Sequence, residues 1–195
     1  MVEVSPEKPP LYPVKRRLFQ FHHAVNGLWA LDWAGSGLDE MAPNSEQVAR
    51  QDLHVMIDKA AAKLKSDGWS VVEASGFIQL VGPLWERVRG GAHEFALITQ
   101  DKHHNRRGLV QGGVLMTFAD RTMGLAAYQE VRQGVVTIQM DSQFIDTARI
   151  GELLLSQPRV VRGTKSVVFM STEVKAGERC IILANAVFKI VRPRA

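Results

Sequence analysis

The stretch His103–Asp120, HHNRRGLVQGGVLMTFAD, decides how the rest of the chain is read. It opens with imidazoles, an amide and two arginines, passes through the pair Gly112 and Gly113, and enters an apolar run that ends on a carboxylate. The run continues beyond Asp120, so residues 112 to 130 read as one long helix. Val114, Leu115, Phe118, Met123, Leu125, Ala126 and Ala127 spread around nearly all of its circumference, and a helix apolar on every side is a buried one. Gly113, Thr117, Asp120 and Gly124 recur at spacings of three and four, which aligns them as a narrow stripe of small and polar positions. Asp120 is therefore expected to look inward, into a space kept open by its neighbours. A carboxylate placed there is costly unless hydrogen-bonded or neutralised, and desolvation makes it a stronger base. The structural alternative is an ion pair with Arg121 or a basic residue of a strand.

The glycine pair points to chemistry. At a helix start the first backbone N–H groups have no intrahelical partner, and without a Cβ a ligand oxygen can come close. The positive end of the helix then favours an oxyanion, as acyl transfer requires. A tight strand-to-helix turn would also call for glycine, so the pair alone leaves both readings open.

Outward from this segment the pattern is segregated. Upstream, Ser75 is placed to cap FIQLV, Gly82 and Pro83 end it, and LWERV with HEFALITQ around Arg89, Gly90 and Gly91 reads as a hairpin. Downstream, VVTIQMDSQFI reads as a half-buried strand, with Val136, Ile138, Met140 and Phe144 on the apolar side and Thr137, Gln139, Asp141 and Gln143 on the other. Two strand runs follow, IGELLLSQPRVVR and SVVFMSTEVK, hinged at Gly163 and Thr164, and CIILANAVFKIV comes after the turn AGER. Short helix, two strands, one long helix and four strands predict an α+β layer architecture with an antiparallel sheet packed on a central helix.

Residues 1–72 read differently, as a helical extension ahead of a domain at 73–195. Four of the eight prolines (Pro6, Pro9, Pro10, Pro13) lie in the first fourteen positions and predict a loose tail. Leu18, Phe21, Val25 and Leu28 then recur at helical spacing, with Trp29 and Trp33 expected to bury against the core. A second helix starts near Pro43, Asn44 and Gln47, shows Leu53, Met56, Ile57, Ala60 and Leu64 on one face, and stops at Gly68.

With 195 residues, 46% of them hydrophobic, the chain holds one core and an appendage. Lys and Arg outnumber Asp and Glu by 24 to 20, and the basic residues are scattered, which disfavours nucleic acid. The single cysteine, Cys180, excludes an intrachain disulfide and fits the cytoplasm. No window is apolar for long enough to span a membrane. The run after Lys15, Arg16 and Arg17 is broken by His22, His23, Asn26 and Asp32, so it reads as part of a soluble protein rather than as a signal peptide, with an amphipathic surface helix as the alternative.

The pattern H-x-N-x-x-G-x-x-x-G-G-x-x-x-x-x-x-D, from His103 to Asp120, resembles that of the hotdog-fold acyl-CoA thioesterases of the phenylacetate-degradation (PaaI-like) type. The resemblance covers roughly residues 77 to 193, including FIQLVG, IDTARIGE and RGTKSVVFMSTEV. It implies a hotdog fold, hydrolysis of an acyl-CoA thioester, and a homodimer or homotetramer whose site forms at a subunit interface, which allows the Asn105 loop and Asp120 to come from opposite chains. It implies no cofactor beyond the coenzyme A of the substrate. Residue by residue, Asp120 matches the catalytic carboxylate, acting as general base or nucleophile. Gly112 matches the backbone donor to the thioester carbonyl, and Asn105 an amide that holds the carbonyl or the water. Thr137 matches a hydroxyl that assists the carboxylate. The position before the glycine pair, commonly His in that family, is Gln111, which cannot change charge near neutral pH. That departure keeps a second reading in play, a non-catalytic hotdog protein that binds acyl-CoA as a sensor or scaffold.

Other constellations carry less. Arg106 and Arg107, and Arg162 and Lys165 in the late hairpin, could meet coenzyme A phosphates or be solvated loop charge. His103 and His104 are neighbours read at a strand end, pointing to opposite faces, which makes a shared metal awkward. No Gly-x-Ser-x-Gly supports a serine triad, and Cys180 reads as core filler.

Overall fold

The computed structural model describes residues 20–21, 31–32 and 44–191. The chain divides into two compact units, Met1–Met41 and Ala42–Ala195. In the first, β1 (Gln20–Phe21) pairs antiparallel with β2 (Leu31–Asp32). The helix expected from Leu18 is thus overturned at Gln20 and Phe21. Its apolar spacing also suits strands, and Asn26–Gly27, a hairpin dipeptide, stands between the two in the sequence. The proline-rich tail, Trp29 and Trp33 lie outside the described residues.

The second unit begins with α1 (Asn44–Ser66), the helix read from Asn44 onward. Gly68, at φ +82°, ends it. Its N–H donates to the Lys65 carbonyl and the Trp69 N–H to the Leu64 carbonyl, the paired bonds that close a helix through a left-handed residue. β3 (Ser70–Val71) follows and pairs with β4 (Leu84–Arg89), so the boundary read after residue 72 falls inside continuous structure. Between them lies the short α2 (Gly76–Val81), with Ser75 at its N-cap position but making no side-chain cap bond.

β4 and β5 (Ala92–Ile98) form the expected hairpin, turning through Gly90 and Gly91, both at positive φ. A 3₁₀ turn (Asp101–His103) leads to α3 (Gly112–Val131). β6 (Gly134–Phe144), β7 (Leu153–Ser156), β8 (Arg159–Gly163), β9 (Val167–Ala176) and β10 (Arg179–Val191) complete one antiparallel sheet, ordered β3-β4-β5-β7-β9-β10-β6, with β8 paired to β9. The single run IGELLLSQPRVVR becomes two strands because Pro158, which has no N–H to give, interrupts it.

Alternation along the strands sends each second residue to the opposite face of the sheet. Phe95, Leu97 and Leu154 join α3's core, with Phe118, Met123, Met170, Ile182 and Phe188. Ala96, Ile98, Leu153 and Leu155 instead pack with Trp69, Trp85 and the Ile57, Ala60, Ala61 and Leu64 side of α1. Part of the sheet is therefore covered on both faces, which the sequence reading did not anticipate. Arg87 ties α1's end down. Its guanidinium lies 4.4 Å over the Trp69 ring, and its Nε donates to Glu94.

α3 is buried through Leu115, Phe118, Ala119, Thr122, Met123, Ala126 and Ala127, but Met116 and Tyr128 are exposed. The expectation of burial on every side is corrected. The sheet curves around one side of α3 and leaves the other uncovered. A buried hydroxyl chain fixes its rotation, since Thr122 Oγ1 lies 2.9 Å from Ser156 Oγ, which lies 2.8 Å from Thr172 Oγ1. Among the described residues, no helix is long and apolar enough to cross a membrane.

Candidate active site

Gln111 caps α3 through two atoms. Its main-chain carbonyl accepts the Val114 N–H at 2.9 Å and the Leu115 N–H at 3.4 Å, and its side-chain Oε1 accepts the Gly113 N–H. Of the four N–H groups that open the helix, the one left without a partner among the described residues is that of Gly112. The glycine matters here for close approach. A Cβ at Gly112 would stand 3.3 Å from Cε1 and Cζ of the Phe144 ring, which is itself 53% exposed.

One face of α3 runs along β6 and β10. At Gly124 a Cβ would lie 3.3 Å from the Phe188 ring, so the stripe of small residues accommodates the sheet rather than an open space. Asp120 is on that stripe and half-buried, not sealed from solvent. The Thr137 hydroxyl donates to its Oδ1 at 2.8 Å. Among the described residues Asp120 makes no ion pair, and the adjacent Arg121 keeps a buried Nε without a hydrogen-bond partner.

Thr137 reaches Asp120 because of a bulge. β10 pairs Val187 with Gln139 but Phe188 with Thr137, so Ile138 is an extra residue and the side-chain alternation changes phase there. The expected faces are corrected at Val136, Thr137 and Ile138, while Met140 packs against the core as expected. Thr137, opposite Phe188, faces α3, whereas Val136 and Ile138 are 57% and 59% exposed. β6 is also the edge of the sheet.

Asn105 sits in a tight turn. Its Oδ1 accepts the Arg107 N–H at 2.8 Å and the Leu109 N–H at 3.2 Å, which leaves its amide N–H₂ to point at something else. Arg106 and Arg107 are exposed on this turn, and Arg162 and Lys165 are exposed on β8 and the turn after it. His103 and His104 belong to the 3₁₀ turn and its cap, not to a strand end. His103 is buried, and in the sequence it stands only as the first residue of the family-like pattern and as half of a pair ill-placed to share a metal.

The structure therefore brings Asp120 to Thr137 and leaves Gly112 with a free donor. It does not bring these two halves together within one chain. Asp120 lies eight positions after Gly112 on the helix, about 12 Å along the axis. No single carbonyl group can touch both from the same helix.

The family model of the thioesterase superfamily matches residues 107–181, a span holding Gly112, Asp120 and Thr137 but not Asn105. A protein of Pseudomonas aeruginosa named as an esterase is 32% identical over 120 residues, which are 60% of this chain and 90% of that protein. This chain belongs to the thioesterase superfamily. Its fold is the hotdog fold that the residue pattern implied. Among solved members of that fold, a conserved protein of Pseudomonas aeruginosa superposes with a TM-score of 0.55 at 25% identity, covering 60% of this chain and 95% of its own. A hypothetical thioesterase of Streptococcus pneumoniae, solved with coenzyme A, gives 0.54 at 18% identity, covering 65% and 99%. Within the superfamily match, Thr137 is tied to Asp120 by a bond that can be tested. Thr137→Val is expected to lower turnover about tenfold, the worth of roughly 1.4 kcal/mol for a hydrogen bond to a charged group, with Thr137→Ser near wild type. The comparison of the two variants' kcat checks it.

His103 supplies a pH signature. Burial lowers the proton affinity of its imidazole below the ordinary 6.5; the bond to the Val81 carbonyl acts the other way, and the nearby Lys102 charge adds to the lowering. A group depressed in the folded state contributes its stability above the unfolded value of 6.5, and loses it as pH falls through the folded value. The unfolding midpoint is expected to drop on acidification below about pH 6.5, and less steeply in His103→Gln, as chemical denaturation at several pH values will show.

Proposed function

We propose that this protein hydrolyses an acyl-CoA thioester, aryl or fatty, to the free acid and coenzyme A. The observation that carries the proposal is that α3 offers a free N–H at its start and, further along, a half-buried carboxylate that accepts a hydroxyl. Asp120 takes a proton from water, whose oxygen attacks the thioester carbon; as the nucleophile instead, its own oxygen would attack and water would free the acyl group afterwards. The carbonyl electrons move onto oxygen, which the Gly112 N–H stabilises, with the Asn105 amide assisting. When the intermediate collapses, the C–S bond breaks and the coenzyme A thiolate takes up the proton that Asp120 removed from water. A placed base contributes ~10²–10⁴-fold and an oxyanion donor a further ~10²–10³-fold. A thioester, an activated acyl group, needs less help than an amide.

In this reading the active unit is a homodimer, with Gly112 and the Asn105 loop of one copy facing Asp120 of another, and the separation of about 12 Å along α3 supports it. A homotetramer would repeat the same site. The edge strand β6, eleven residues long and carrying exposed Val136 and Ile138, offers the ladder on which a second copy would pair. Arg106, Arg107, Arg162 and Lys165 are the cations for the substrate's phosphates, in line with the coenzyme A carried by the Streptococcus pneumoniae protein. The single cysteine fits work in the reducing cytoplasm.

Gln111, engaged in capping Gly113, favours one alternative, a hotdog protein that binds acyl-CoA without turning it over. A panel of aryl- and fatty-acyl-CoA esters, followed by release of free thiol, separates the two. Release with any member supports the hydrolase, and tight binding with no release supports the sensor or scaffold.

A further inference from the structure

We infer that His103 is a positioning residue for the two groups that would hold the thioester carbonyl, Asn105 and the Gly112 N–H; this rests on the hydrolase reading above. His103 is 2% exposed, and all four of its polar groups are engaged. Nε2 lies 2.8 Å from the Val81 carbonyl at the end of α2, and Nδ1 lies 3.0 Å from the Gln100 N–H. A carbonyl only accepts and an amide N–H only donates, so the set fixes one neutral tautomer, with its proton on Nε2. The main-chain N–H of His103 donates to the Gln100 carbonyl at 2.9 Å, and its own carbonyl accepts the Gln111 N–H at 2.8 Å.

The last bond carries the consequence. Gln111 precedes Gly112, so the grip of the imidazole on α2 passes through one carbonyl to the residue joined to the free donor. On the other side, Asn105 begins two residues after His103, and its N–H donates to the Leu109 carbonyl at 2.7 Å. A bridge between His104 and Val110 closes the loop just inside His103 and Gln111. The base of the loop is thus fastened where His103 meets Gln111, and the loop carries Asn105 while its end feeds the helix start. Lys102 adds a neighbouring tie, its Nζ donating to the Gly82 carbonyl at 2.5 Å. Removing the imidazole leaves the Val81 carbonyl and the Gln100 N–H without partners and releases that base.

A misplacement of about 1 Å at a reacting group costs on the order of 10²-fold. The test compares wild type, His103→Ala and His103→Gln, full-length, on an acyl-CoA ester that wild type hydrolyses, with rates referred to folded protein. His103→Ala is expected to lower kcat about tenfold or more while KM stays within about threefold. His103→Gln, whose amide offers a donor and an acceptor, is expected to recover most of the loss. In ¹H–¹⁵N spectra the Asn105, Gln111 and Gly112 resonances should move in the alanine variant and move back in the glutamine variant. Should the alanine variant not fold, His103→Asn, whose shorter amide cannot span both partners, replaces it. An unchanged kcat per folded molecule, a loss confined to KM, or unmoved resonances would overturn the inference while leaving the hydrolase reading intact. A wild type silent on every ester defeats both.

Discussion

Asp120→Asn is expected to lower thiol release by about 10²–10⁴-fold, the worth of a placed general base, without unfolding the protein. The substitution is nearly isosteric, and the remaining side-chain oxygen can still accept the Thr137 hydroxyl. Asp120 has no ion pair to lose among the described residues and is only half-buried, so a neutral amide costs the fold little. Steady-state rates on purified variant, with circular dichroism to confirm the fold, make the comparison. A variant retaining wild-type turnover would remove Asp120 from the chemistry.

The largest effect on stability is expected at Phe118. The ring is completely buried on the side of α3 that meets the sheet, within the core that includes Phe95, Leu97, Met123 and Phe188. Phe118→Ala removes that ring from a site walled by strands that cannot close in, at a cost of about 3–5 kcal/mol. Against a total of about 5–15 kcal/mol for a typical domain, this brings the variant close to unfolding. Urea titration should show the midpoint falling with little change in slope, and Phe118→Leu should lose much less.

How far these sites were legible in the sequence depends on the range of the interactions that set them. α3 and the β4–β5 hairpin follow from local signals, the apolar run after Gly112 and the turn glycines Gly90 and Gly91, and both stand where those signals put them. α1 was equally legible through its apolar face and Gly68. The phase of β6 was not. Its alternation reads cleanly until Ile138, and only the register with β10 reveals the extra residue there. Val136, Thr137 and Ile138 were assigned to the wrong faces for that reason, while Met140 packs against the core as expected, and Thr137 itself had been paired with Asp120 through the resemblance. His103 heads the pattern that carries the resemblance, but its tether was not legible because its partners, Val81 and Gln100, are main-chain groups that leave no mark on side-chain spacing. The stripe on α3 was seen, but its cause is Phe188, sixty-four positions after Gly124 in the sequence. The limit on Gly112 and Asp120 acting together came from helix geometry and needed only the count of residues between them.

The most direct test of the account is a crystal structure with a non-hydrolysable thioether or ketone analogue of an acyl-CoA. The expected result is a homodimer in which the analogue's carbonyl oxygen, or the group replacing it, accepts the Gly112 N–H of one copy while Asp120 of the other copy stands within reach of the carbonyl carbon. An analogue bound away from the start of α3, or a dimer that leaves Gly112 and Asp120 of different copies as far apart as they are in one chain, would contradict it.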